Sequence, residues 1–193
     1  MPDIILDGGG RGWKCRVNKD GQLVTRATNV EQRLQSSVDR LYYEATTGQI
    51  TITDAAETFI IYLKNSDLSG KVIVIDRVFV DTWTSTAGTG ADGVIKYYIN
   101  PTYTGGSTIT PINTNFASSI EAQGTFLKSL TTLAGTVWWT GYITDKQAII
   151  IDEGRIIIPE GKTFGISVAA PTGNTSMKIS VNIAFYYLDT DLI

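Results

Sequence analysis

Between Gln147 and Ala170 the chain reads QAIIIDEGRIIIPEGKTFGISVAA. Two triple-isoleucine runs flank Asp152-Glu153-Gly154-Arg155, and Pro159-Glu160-Gly161 then breaks the chain. After the break Phe164, Ile166 and Val168 alternate with Thr163, Gly165, Ser167 and Ala169. β-Branched runs punctuated by Pro and Gly, followed by strict alternation, predict consecutive antiparallel strands. A lone hairpin leaves both faces of the isoleucine runs bare, so the rest of the chain has to supply cover.

The other segments have the same character. Gln49 to Thr53 alternates with Ile50 and Ile52 on one face, and Phe59 to Leu63 is apolar on both. Lys71 to Asp81 is the longest strand candidate, followed by Val94 to Ile99, Val137 to Ile143 and Lys178 to Leu188. In the last of these Ile179, Val181, Ile183, Phe185 and Tyr187 share a face. Asn113 to Leu133 mixes helical spacing at Phe126, Leu130 and Leu133 with a Ser/Thr-rich composition that leans toward strand or loop. Many short strands with few helix signals predict an all-β fold, a jelly-roll-like antiparallel β-sandwich. Residues 46–193 form the sandwich domain. Residues 1–45 form an extended N-terminal arm and linker, with a glycine-rich hinge at Asp7-Gly8-Gly9-Gly10-Arg11-Gly12 and a short helix within 29–43.

In the long strand candidate, strict alternation places Val72, Val74, Val78 and Val80 on one face and Ile73, Ile75 and Phe79 on the other. Antiparallel sheets of monomers usually keep one face polar. Such two-faced strands are covered either by the chain's own loops or by another subunit, and a homo-oligomer, a trimer of sandwiches, is the expectation.

Charge and composition narrow the chemistry. The 193 residues hold 16 basic and 19 acidic side chains, a net of −3, which gives no support to nucleic-acid binding. Residues 1–40 carry seven basic residues against five acids, and the remainder nine against fourteen, so a mildly basic leader precedes an acidic body. Cys15 is the only cysteine and there is no histidine. Disulfides within the chain, multi-cysteine metal sites and Ser-His-Asp or Cys-His catalysis are thereby excluded, while paired-carboxylate hydrolysis is not. The start MPDIILDGGG has no signal-peptide pattern, and no apolar run approaches the roughly 18–20 residues of a bilayer span, so no membrane partner is expected.

Gly88-Thr89-Gly90-Ala91-Asp92-Gly93 matches a dinucleotide fingerprint by letter. A strand-like run, Val94 to Tyr98, follows where that fingerprint needs a helix, so no cofactor is expected. Asp76, Asp81, Asp152, Glu153 and Glu160 read as solvated acids, with nothing to set any two at a glycosidase separation. Trp83, Tyr97, Tyr98, Tyr103, Trp138, Trp139 and Tyr142 serve either as core partners or as a sugar-stacking platform. Within that set Trp138, Trp139 and Tyr142 are the glycan-binding candidates. On a regular strand Trp138 and Trp139 point to opposite faces, so at most one lies in the core.

Three stretches resemble the small β-rich head decoration, or cement, proteins of tailed bacteriophages. One is the leader Leu6-Asp7-Gly8, Arg11-Gly12-Trp13, Val17-Asn18 and Gly21-Gln22-Leu23. The second is Thr110-Pro111-Ile112-Asn113-Thr114-Asn115-Phe116-Ala117-Ser118-Ser119. The third is Ile158-Pro159-Glu160-Gly161-Lys162-Thr163-Phe164-Gly165-Ile166, which leads to a long final strand. The resemblance implies a non-enzymatic virion protein, assembled in a host cytoplasm, that binds the major capsid protein or another virion protein and stabilises the lattice as an oligomer. In such a protein Ile4, Ile5 and Trp13 would anchor the arm, with Arg11, Lys14 and Arg16 supplying complementary charge. A tail, baseplate or head-fibre component and a carbohydrate-binding module are the alternatives.

Overall fold

Lys71–Thr84 forms β7, and the packing of the sandwich follows from one irregularity in it. The computed structural model describes residues 5–6, 14–17, 23–24, 41–52, 56–66, 70–84, 93–143, 148–151, 156–170 and 177–189. Contacts divide the chain into two compact units, Met1–Glu31 and Gln32–Ile193. In the first, β1 (Ile5–Leu6), β2 (Lys14–Val17) and β3 (Leu23–Val24) make a three-stranded antiparallel sheet. Ile5 lies opposite Cys15, Leu6 opposite Lys14, and Arg16 opposite Val24.

The second unit is a β-sandwich with no helix among its described residues. Its first sheet joins β4 (Tyr42–Thr46), β5 (Ile50–Ile52), β7, β10 (Ile112–Asn113), β13 (Ala148–Ile151), β14 (Ile156–Ile158) and β16 (Met177–Asp189). The order runs β10-β4-β16-β7-β13, with β14 also on β7 and β5 also on β16. The second sheet is ordered β12-β8-β15-β6-β11-β9. Its strands are β6 (Glu57–Asn65), β8 (Gly93–Thr104), β9 (Ser107–Thr108), β11 (Gly124–Leu130), β12 (Thr132–Ile143) and β15 (Thr163–Ala169). All pairings are antiparallel. One continuous core lies between the sheets, with Tyr43, Ile73, Ile75, Val181 and Phe185 from the first meeting Ile61, Ile95, Tyr97, Phe164 and Ile166 from the second. β4 straddles the 45/46 boundary drawn from sequence and belongs to the sandwich.

Three sequence expectations change. First, Ile73, Ile75, Val78 and Val80 all face the core, while Val72 and Val74 face outward. Ala184 pairs with Arg77 but Phe185 with Ile75, so Asp76 is an extra residue in β7 and shifts its phase by one. Second, the isoleucine runs are not the two arms of a hairpin. Both run antiparallel to β7, Ile149 to Ile151 opposite Val80 to Val78 and Ile156 to Ile158 opposite Ile75 to Ile73. They are successive pieces of one edge, because both pair with the same side of β7 in the same direction and in consecutive registers. Third, β14 is not covered on both sides: Ile156 and Ile158 are buried, but Ile157 is 42% exposed.

The outward-facing apolar residues are covered largely within the chain. Val72, Val74 and Tyr186 form a buried cluster with Tyr42 and Leu188 against it, and Tyr42 stacks on Tyr186 at 6.2 Å. On the other sheet Tyr62, Tyr98, Leu130 and Leu133 cluster with Phe59 and Leu127. The proposed helix at 29–43 lies outside the described residues except for its end, where β4 begins. The glycine-rich stretch at 88–92 and the acids Asp152 and Glu153 also lie outside them.

Candidate functional site

A cavity of about 370 Å³ opens at one edge of the sandwich, where β14 of the first sheet lies over β8 and β12 of the second. Its walls are Ile99, Asn100, Trp138, Ile156, Ile157, Ile158, Pro159, Lys162, Thr163 and Phe164, with Tyr98 behind them. Three large apolar side chains stay accessible there: Ile99, Trp138 and Ile157.

Local irregularities build each wall. In β12, Val137 pairs with Tyr98 and Trp139 with Tyr97, which leaves Trp138 as a bulge residue. The bulge turns both tryptophans toward Tyr97, at ring distances of 6.1 Å for Trp138 and 4.8 Å for Trp139. The strand-like expectation of opposite faces is therefore corrected. Trp139 packs on the core and Trp138 remains 42% exposed at the cavity. The Trp139 ring occupies the space that a side chain at Gly141 would need. Tyr142 pairs with Val94, the neighbour of core-facing Ile95, so it lies on the opposite face, 69% exposed. The structure brings together two of the three aromatic candidates and leaves Tyr142 apart.

On the β8 wall, Asn100 takes a left-handed conformation (φ 47°) ahead of Pro101, at an irregularity where the register against β12 shifts. The Thr163 hydroxyl donates to the Pro101 carbonyl at 3.0 Å and ties this irregularity to β15. The Pro159-Glu160-Gly161 turn carries the chain from the first sheet to the second, with Gly161 at φ 71°. Buried Asn65 fastens this corner. Its Nδ2 donates to the carbonyls of Lys71 (2.9 Å) and Ile158 (3.0 Å), its backbone N–H to Lys162, and its carbonyl accepts from Gly161. The cavity is thus framed by hydrogen-bonded backbone.

A second surface lies at the far edge of the first sheet. Between β10 and β11, residues 113–120 form a tight loop. The Asn113 side-chain oxygen accepts from Asn115 N–H at 2.9 Å, and Asn115 Oδ1 from Ala117 N–H at 3.2 Å. Asn113 Nδ2 donates to Ser118 Oγ and to the Ile120 carbonyl, both at 3.2 Å, and Thr114 N–H donates to the Tyr42 carbonyl. These side-chain-to-backbone bonds are the local chemistry of Asn-rich turns. At the tip Phe116 is 91% exposed, flanked by Ile112 at 58% and Ile120 at 44%. From sequence, Thr110 to Ser119 carries the resemblance, and Asn113 onward leans toward strand or loop; no contact role is assigned to Phe116 there. Asn113 and Asn115, two apart and directly ahead of Phe116, are the sequence signal for this loop.

Polar chemistry concentrates on the outer face of the second sheet. Glu57 Oε1 accepts hydrogen bonds from Ser167 Oγ (2.5 Å), Tyr98 OH (2.7 Å) and Lys96 Nζ (3.1 Å). Burial alone pushes the Glu57 carboxyl up, but those three donors and the Lys96 charge outweigh it and hold it below its ordinary value. Ser167 is fully buried and the carboxylate is kept ionised, so the group ties β6, β8 and β15 together. On the first sheet the Tyr42 hydroxyl donates to Asp76 Oδ2 at 2.7 Å; burial, then Asp76, push its pKa up.

Of the arm residues singled out from sequence, Ile5, Lys14 and Arg16 fall on β1 and β2, while Ile4, Arg11 and Trp13 lie outside the described residues. Among the described residues no group of His, Cys, Asp and Glu is placed to hold a metal ion, and no helix is long and apolar enough to cross a bilayer. No known protein family model matches the chain, and neither does any curated protein.

Proposed function

We propose that this protein works by contact: a structural β-sandwich that docks onto a larger assembly, as a capsid decoration or cement protein of a phage virion does. The observation that carries this reading is the loop at 113–120. It overlaps the stretch Thr110 to Ser119 on which the resemblance partly rests, and it holds Phe116 91% exposed on a hydrogen-bonded frame. A large aromatic side chain kept in water by a rigid loop is poor for the folding of a monomer and favourable for association. Multivalent attachment through such contacts and the basic leader gives avidity without one strong contact. The test is co-sedimentation with capsids. The intact chain pellets with them, and removal of residues 1–25 or Phe116→Ala reduces the bound fraction. Undiminished binding by both variants sinks the proposal.

Trp138 in the cavity favours a second reading, carbohydrate binding, with Asn100 and Lys162 as polar partners for hydroxyl groups. Glycan-array binding lost in Trp138→Ala supports it, and an array without signal removes it.

A further inference from the structure

The Phe116 loop and the Trp138 cavity both present an exposed aromatic side chain on a hydrogen-bonded frame, and the loop and the β14 wall of the cavity lie at opposite edges of the first sheet. β10, which leads into the loop, is one end of the strand order, and β14, which walls the cavity, is at the other. Phe116 is in water, so it does not occupy the cavity of its own chain. The cavity, at about 370 Å³, falls at the small end of the roughly 300–1,000 Å³ range of ligand pockets and suits one aromatic side chain with a neighbour. Its accessible lining of Ile99, Trp138 and Ile157 is apolar, as is the Ile112, Phe116 and Ile120 surface. The flanking charges are opposite: exposed Lys162 lines the cavity, and exposed Glu121 follows Ile120. Glu160, in the same turn as Lys162, is not part of the lining.

We infer that the occupant of the cavity is Phe116 of a second copy of this chain. Knob and socket are different surfaces, so the contact is head-to-tail, and repeated contacts close a ring or extend a chain. Complementary charge at Glu121 and Lys162 sets the orientation, and the buried aromatic supplies most of the affinity. The inference deepens the docking proposal by naming the partner of the Phe116 loop, and it rests on that loop being a contact surface.

Sedimentation velocity over a concentration series tests it. The wild type associates as concentration rises. Phe116→Ala and Ile157→Arg, both at exposed positions and checked for folding by circular dichroism, each weaken association by at least about thirty-fold. Mixed, these two variants form a heterodimer and nothing larger, because the Ile157→Arg copy still offers a knob and the Phe116→Ala copy still offers a socket. Glu121→Lys and Lys162→Glu each weaken association, and the pair on one chain restores it. A wild type that stays monomeric at every concentration overturns the inference, as do variants that associate normally or a mixture that fails to pair. A monomer that still binds capsids overturns this interface alone, whereas an oligomer that ignores capsids overturns the docking proposal alone.

Discussion

Asn65 is a polar side chain on which one corner of the sandwich depends. It is fully buried, and its amide joins the start of β7 to the end of β14. Asn65→Ala leaves two carbonyls without that donor and is expected to lower stability by about 2–4 kcal/mol, read from urea unfolding. A loss below the fitting error would show that the corner is held by other means. Glu57 has its effect on pH. Its folded pKa is depressed below the ordinary 4.5, so the unfolded chain binds the proton more readily. The stability it contributes is present above the unfolded value and is lost as pH falls through the lower folded value. Wild type should therefore lose stability more steeply than Glu57→Gln as pH drops below about 4.5. Parallel acid limbs for the two proteins would contradict the assignment. Neither role is legible in the sequence. The Asn65 partner Ile158 is 93 positions away, and only folding brings them together.

At the scale of elements, β7 and β12 owe their faces to single bulge residues. Alternation predicted the strands themselves well, because period-two patterning survives on either side of a bulge. It misassigned Val78 and Val80 because one extra residue, Asp76, reverses the phase without any mark in composition. Deleting Asp76 should turn Val78 and Val80 away from the core. Each buried valine is worth about 1.5–3 kcal/mol, so the deletion should abolish cooperative folding, whereas Asp76→Asn should be tolerated. A deletion variant with native near-ultraviolet circular dichroism would refute the bulge. The same logic governs Trp138, whose place at the cavity depends on a register shift against Tyr97 and Tyr98. The isoleucine runs were correctly read as strands. Their connection was misread because an Asp-Glu-Gly-Arg stretch looks like a reversal, and the antiparallel register along β7 shows that both runs travel the same way.

At the scale of the whole molecule, the tyrosines join both outer faces to stability. Burial is the leading cause that pushes Tyr42, Tyr43, Tyr62, Tyr98 and Tyr186 above the ordinary 10.0. Their neutral forms are favoured in the fold, so the stability they contribute is present below about pH 10 and is lost as pH rises through the folded values. Absorbance at 295 nm should show these phenols ionising together with unfolding; independent ionisation of all nine tyrosines near pH 10 in a folded chain would contradict it. The apolar residues on the outer faces had suggested another subunit as cover, and much of that cover proves to be the chain's own aromatics, such as Tyr42 on Tyr186. The sequence by itself determined the all-β class, most of the long strands and the corner at Pro159-Glu160-Gly161, because β-branching, alternation and turn chemistry act locally. Only the tertiary structure decided which residues of β7 face the core, that the two isoleucine runs share one edge, and that the Phe116 loop and the β14 wall of the Trp138 cavity stand at opposite edges of the first sheet. Those outcomes depend on register between strands distant in sequence, and a single inserted residue changes register without changing local pattern.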